Sequence, residues 1–119
     1  MTWYAAHTVM YIKFKDGNQN SYPVWENIIL IQAENDEQAY LKAEQRAKKD
    51  EGDSQNTFTH NNRPATWVFA GIRRLVECVN SNQQPTNGTE ITYLELEIDT
   101  AEQFKQFING EPSPVLYEG

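Results

Sequence analysis

The chain has 119 residues, a single cysteine and a formal charge of −7, which suits one domain around one core and excludes an internal disulfide. Three Trp, six Tyr and five Phe exclude wholesale disorder, and no apolar run nears the ~18 residues of a membrane span. Seventeen acids against ten bases leave no electrostatic footprint for nucleic acid. The start lacks a basic, apolar leader, so the expected setting is the cytoplasm, where Cys78 stays reduced.

Residues 3–14 alternate around β-branched and aromatic side chains with no breaker, which predicts a first strand. Asp16-Gly17-Asn18 signals a turn, and residues 22–33 resume as a second strand with Pro23 tolerated near its start. Asn35 is placed to cap a helix, with Gln38 as the partner in a capping box. Ala39, Ala43 and Ala47 form a small-residue stripe, beside Tyr40, that lets this helix approach a sheet closely. It dissolves in Lys48-Lys49-Asp50-Glu51-Gly52. Residues 52–64 are polar and pattern-free, and mobility is expected there. A third strand is predicted over 66–79, a long turn over 80–88 and a fourth strand over 89–99. Thr100 then caps a second helix with Gln103 as its box partner; Phe104, Phe107 and Ile108 are the apolar face, and Asn109-Gly110 ends it. Residues 112–117 suit a short edge strand. The Asn87-Gly88-Thr89 glycosylation sequon is discounted for want of a secretory route.

The predicted architecture is a single α+β domain over 1–119 with the order ββαββα. Two hairpins joined by a crossing helix give a four-stranded antiparallel sheet with both helices on one face. This is a permuted ferredoxin-like arrangement, with strand order 1-2-4-3 expected. An internal echo supports the pseudo-repeat: Thr2-Trp3-Tyr4-Ala5-Ala6 against Thr66-Trp67-Val68-Phe69-Ala70, and Glu34-Asn35-Asp36-Glu37-Gln38 against Asp99-Thr100-Ala101-Glu102-Gln103. The matches fall at strand starts and helix caps, so they speak for architecture more than for gene duplication.

Period-two alternation separates two sheet faces. The expected core face carries Tyr4, Ala6, Thr8, Met10, Ile12 and Phe14, then Ile29, Ile31 and Ala33. Strand three adds Val68, Ala70, Ile72, Val76 and Cys78, and strand four adds Leu94, Leu96 and Ile98. Arg74 is the misfit, which a bulge at Gly71 would relieve by turning one arginine outward. The opposite face is expected to carry Trp3, His7, Val9, Tyr11 and Lys13, with Glu26, Ile28 and Leu30. Trp67, Phe69, Arg73, Leu75 and Glu77 follow on strand three, then Tyr93, Glu95 and Glu97. Half of it is large and apolar, too much for an open surface, so a second subunit, the C-terminal segment or a ligand should cover it.

Among these residues, His7 and Glu26 could act as a base and its orienting carboxylate if the strands bring them together; a hydrogen-bonded histidine is the plainer reading. Trp3 and Trp67 match a shared packing role, and Arg73 with Glu95 a cross-strand ion pair. His60 has no companion at metal-ligand spacing, and Cys78 reads as a small buried hydrophobe. No phosphate loop, nucleophile elbow or carboxylate metal motif is present, so no cofactor or metal is expected.

Several segments resemble a known family. They are Trp3-Tyr4-Ala5-Ala6; Val24-Trp25-Glu26-Asn27 with Ile28 to Ala33; Arg63 to Val76; and Gly88-Thr89-Glu90-Ile91-Thr92-Tyr93. The chain is similar over nearly its whole length to a small bacterial family catalogued as domain of unknown function 4288. The resemblance implies a stand-alone bacterial cytosolic protein, supplies no catalytic residues, and emphasises Glu26, Asn27, Trp67, Gly71 and Glu90.

Two functions are therefore weighed. The favoured one is a non-enzymatic interaction module that forms a homodimer or binds a protein through Trp3, Tyr11, Trp67, Phe69 and Tyr93, residue types common at interface centres. Its rival is a small-molecule site or enzyme on the same face, with His7 and Glu26 as polar groups, Arg73 for an anionic substrate and the aromatics as walls. Neither nucleic acid nor a membrane is expected as a partner.

Overall fold

A computed structural model describes residues 1–118. Its order is β1 (Thr2–Phe14), β2 (Val24–Ala33), α1 (Asp36–Lys48), β3 (Thr59–His60), β4 (Arg63–Glu77), β5 (Glu95–Glu97), α2 (Ala101–Ile108) and β6 (Leu116–Glu118). The main sheet is antiparallel with order β2-β1-β4-β3, and β5 pairs only with β6. The class is α+β.

β1 is central and flanked on both edges; one face is buried along its length and the other in part. Tyr4, Ala6, Thr8, Met10, Ile12 and Phe14 all lie inside on the α1 side, while Ala5 and His7 are buried on the other. The turn after β1 is held by polar side chains. Asp16 Oδ1 accepts the Asn18 N–H at 2.9 Å, and the Gln19 amide bonds Phe14 N and Ile12 O. Helix α1 starts where Asn35 Oδ1 accepts the Gln38 N–H at 2.9 Å. Gln38 reaches back one residue further than a capping box requires, to the Glu34 N–H. Ala39, Ala43 and Ala47 are buried, and Ala39 packs against Tyr4 and Ala33.

Three features depart from the sequence-based expectation. First, the predicted fourth strand does not complete the main sheet: only Glu95–Glu97 is strand, paired with β6, and the observed order replaces 1-2-4-3. No residue of helix α2 is fully buried, so it is not a second helix laid on that sheet. Its cap forms on one side only: Thr100 Oγ1 accepts the Gln103 N–H at 3.1 Å, while Gln103 Oε1 is buried without a partner.

Second, segment 52–64 is tied down. Asp53 accepts the N–H groups of Thr57 and Phe58 and the Lys15 ammonium. Phe58 stacks on Trp67 with centroids 5.6 Å apart. The segment ends in a hairpin whose two turn residues, Asn61 and Asn62, both have positive φ (52° and 62°), as a type I′ turn requires.

Third, β4 contains two register shifts against β1, between His7/Thr8 and Val9/Met10. Each inverts the alternation of β4. Trp67, Phe69, Ile72 and Leu75 consequently sit opposite Ile12, Met10, Thr8 and Ala6, on the α1 side. Val68, Arg74 and Val76 sit opposite Tyr11, His7 and Ala5 on the open side. Strict alternation through β4 reverses the true face everywhere except near Ile72, between the shifts.

The molecule measures 45 × 43 × 24 Å, a two-layer slab. Its radius of gyration, 17.4 Å, exceeds the roughly 13.5 Å of a compact domain of this length. Among the described residues, no helix is long and apolar enough to cross a membrane.

Candidate functional site

The face of the sheet away from α1 is crossed by the extended residues that precede β5. Their anchoring is polar: Cys78 Sγ contacts the Ile91 carbonyl at 3.4 Å, and Arg74 Nη1 donates to the Tyr93 carbonyl at 2.6 Å. The Arg74 guanidinium also lies 4.6 Å from the centroid of the Tyr93 ring, a cation–π contact. These covering residues belong to the stretch expected as the fourth strand.

Beneath this segment lies His7, a fully buried residue with both ring nitrogens engaged. Nδ1 is 2.8 Å from Glu26 Oε2, and Nε2 is 3.0 Å from Thr92 Oγ1. A carboxylate only accepts, so Nδ1 carries the proton toward Glu26, while Nε2 bonds the Thr92 hydroxyl, which can donate or accept. The contact between His7 and Glu26 follows from register: Glu26 is opposite Val9 on β2, so its side chain stands on the same face as His7, two pairs along.

Glu26 also takes Nε of Arg73, at 3.2 Å. Arg73 is the unpaired residue at the first register shift, which lets it and Arg74 both project to the open face. Burial alone raises the Glu26 carboxyl, but the bonds from His7 and Arg73 outweigh it and hold the group below its ordinary value. The Cys78 thiol is pushed up by burial and by Glu77, which suits an inert thiol.

A cleft of about 440 Å³ opens over these groups. His7, Glu26 and Arg73 supply its polar lining, and Val9, Val24, Ile28 and Leu94 its apolar walls. It is open at the surface, neither a closed cavity nor a flat face.

The nine residues marked out from the sequence are thus divided. His7, Glu26 and Arg73 meet in the cleft, and Tyr93 lies alongside through Arg74. Tyr11 shares this face but packs edge-on against Tyr22, with centroids 5.3 Å apart. Trp3 is half-buried at the end of β1, where its N–H bonds the Ser81 carbonyl. Trp67 and Phe69 belong to the other face, as the register shifts dictate, and Trp67 packs on Trp25 at 4.8 Å. Glu95 is on β5, opposite Glu118, so the ion partner of Arg73 is Glu26 instead. The continuous aromatic face therefore does not form.

Thr92 was not legible beforehand. The contact between His7 and Thr92 spans 85 residues, and no local pattern marks a threonine that crosses a sheet outside any strand.

A family model described as a domain of unknown function, DUF4288, matches residues 3–93. That stretch includes His7, Glu26, Arg73 and Thr92 and stops before β5. None of the curated proteins and none of the solved structures matches the chain.

Proposed function

The chain belongs to the DUF4288 family, and we propose that it is a non-enzymatic interaction module that pairs with a second copy through the outer edge of β2. The observation that carries this reading is that edge itself. β2 runs ten residues, about 33 Å at strand rise, with no strand on its outer side among the described residues; toward its end the Gln32 carbonyl is taken by Lys42 Nζ at 2.8 Å. Its sequence, VWENIILIQA, holds one charge and no proline. Val24, Trp25 and Ile28 are 52%, 57% and 46% exposed.

The opposite edge of the sheet is guarded in the ways that prevent pairing. β4 carries two register shifts, Arg73, Arg74 and Glu77, and its Phe69 N–H is already taken by Glu51 Oε2 at 2.8 Å. Bulges and charges blunt an edge, whereas a long, regular, apolar edge is a template for another strand. Two β2 strands meeting antiparallel about a two-fold axis satisfy each other's main chain with one self-complementary patch. A cytosolic setting, with Cys78 reduced, is part of the same proposal.

Light scattering on a size-exclusion column tests it. The expected particle has twice the 13.8 kDa chain mass. Ile28→Lys, which places a charge on the exposed edge, should return it to the monomer while leaving the circular dichroism unchanged. A wild type that stays monomeric at micromolar concentration sinks the proposal, and a dimer indifferent to Ile28→Lys moves the interface off β2.

A further inference from the structure

We propose that the cleft on the open face binds a small amphipathic carboxylate, gripped by the end of the Arg73 guanidinium and packed on an apolar wall. The argument starts from a chain of side chains. Thr92 Oγ1 is 3.0 Å from His7 Nε2, His7 Nδ1 is 2.8 Å from Glu26, and Glu26 is 3.2 Å from Arg73 Nε. His7 is fully buried, so it cannot swing away. It fixes the carboxylate, and the carboxylate fixes the guanidinium.

Because Glu26 occupies Nε, the two Nη groups at the far end of Arg73 carry no bond to any described residue. That end presents two parallel N–H donors, the geometry that takes a carboxylate in bidentate fashion. The Arg73 side chain is 52% exposed and lines the cleft. A purely structural tie across the sheet needs to go no further than Glu26. Its extension to an arginine with an open fork at a cleft mouth is what points to a ligand.

The walls decide the rest of the molecule. Val9, Val24, Ile28 and Leu94 offer methyl groups and no donors, so the body of the ligand is apolar. A volume of about 440 Å³ is in the range of small-molecule sites. The Glu26 charge repels a second negative group, which favours one carboxylate over a diacid or a phosphate. Arg74 cannot serve as the anchor, since it is committed to the carbonyl and ring of Tyr93. With the chain at −7, long-range attraction of anions is absent and recognition is local.

The experiment follows the methyl signals of Val9, Val24, Ile28 and Leu94 by NMR in the full chain. Three probes are titrated: hexanoate, its neutral analogue hexanamide, and inorganic phosphate. Hexanoate should move these signals saturably, and hexanamide should bind about tenfold more weakly or worse, the difference of a charge-assisted bond. Arg73→Ala, a change at a half-exposed residue, should lose hexanoate binding. Thr92→Val does not touch the ligand but frees the far end of the chain, and it should weaken hexanoate by about threefold, a fraction of a tenfold step. Methyl signals that ignore hexanoate overturn the proposal. So do equal affinities for hexanoate and hexanamide, undiminished binding in Arg73→Ala, or phosphate binding as tightly as hexanoate.

Discussion

The two helices of this chain are opposites in a way that organises the whole molecule. α1 offers its sheet only methyl groups, yet Ala39, Ala43 and Ala47 are almost entirely buried. α2 carries Phe104, Phe107 and Ile108, and leaves them 53%, 42% and 64% exposed. Transfer free energy alone would rank them the other way round. The difference lies in what each can reach. α1 leaves β2 through Glu34 and Asn35 and folds straight back over a sheet whose near face is already apolar. α2 leaves β5, which pairs with β6 and belongs to no larger sheet. The family match ends at residue 93, where these two regions meet. Burial here follows access to a sheet face, and an apolar stripe without access remains on the surface, available to a partner.

A pair of truncations puts the largest strain on this contrast. Ile12→Ala, inside the slab at 1% exposure, should cost about 2–5 kcal/mol in urea denaturation, the range for emptying a core site. Phe107→Ala on α2 removes a bigger side chain and should stay within about 0.5 kcal/mol in the monomer, as for surface substitutions. Comparable losses at the two sites would mean that α2 belongs to a core after all.

Overpacking gives the next effect in size. Ala43→Leu pushes three more carbons into a contact where the helix already touches the sheet, and should lower stability by about 1–3 kcal/mol by thermal denaturation. The same exchange at Ala101, exposed at the start of α2, should change it by less than about 0.5 kcal/mol. A tolerated Ala43→Leu would show that α1 has room to back away, and that its small residues are not what sets the approach.

The sequence disclosed local rules well and long-range geometry poorly. Both helix caps, the alanine stripe and the faces of β1 and β2 followed from period and propensity, which need only a few neighbouring residues. The face of β4 did not, because two inserted residues invert the alternation twice and no single residue announces both shifts. The doublet Arg73-Arg74 gave a partial sign, since one arginine had no place in a core. His7 and Glu26 were legible as a pair once β1 and β2 were adjacent. Thr92 was not, because its contact depends on the path of a segment with no periodicity. The fate of β5 turned on competition between two partners, β4 and β6, which composition does not rank.

Acidity supplies the smallest and most local of the expected effects. Burial works to raise the Glu26 carboxyl, but hydrogen bonds from His7 and Arg73 prevail and leave it below the unfolded value of 4.5. A group whose folded value is depressed stabilises the fold in full above its unfolded value, and that contribution fades as pH falls through the folded one. Stability should therefore decline from pH 4.5 downward, with Asp16 contributing below it through its bond from Arg63, and Asp53 through the Phe58 N–H and Lys15, which outweigh its burial. Glu26→Gln keeps the shape and an acceptor for His7 but removes the charge, so the difference between wild type and variant isolates this one carboxylate. That difference should shrink as the pH drops. A wild-type-minus-variant difference that stays constant across the acid range would mean that the Glu26 charge adds nothing to the fold. The tie from β2 through His7 to Thr92 would then hold by geometry alone.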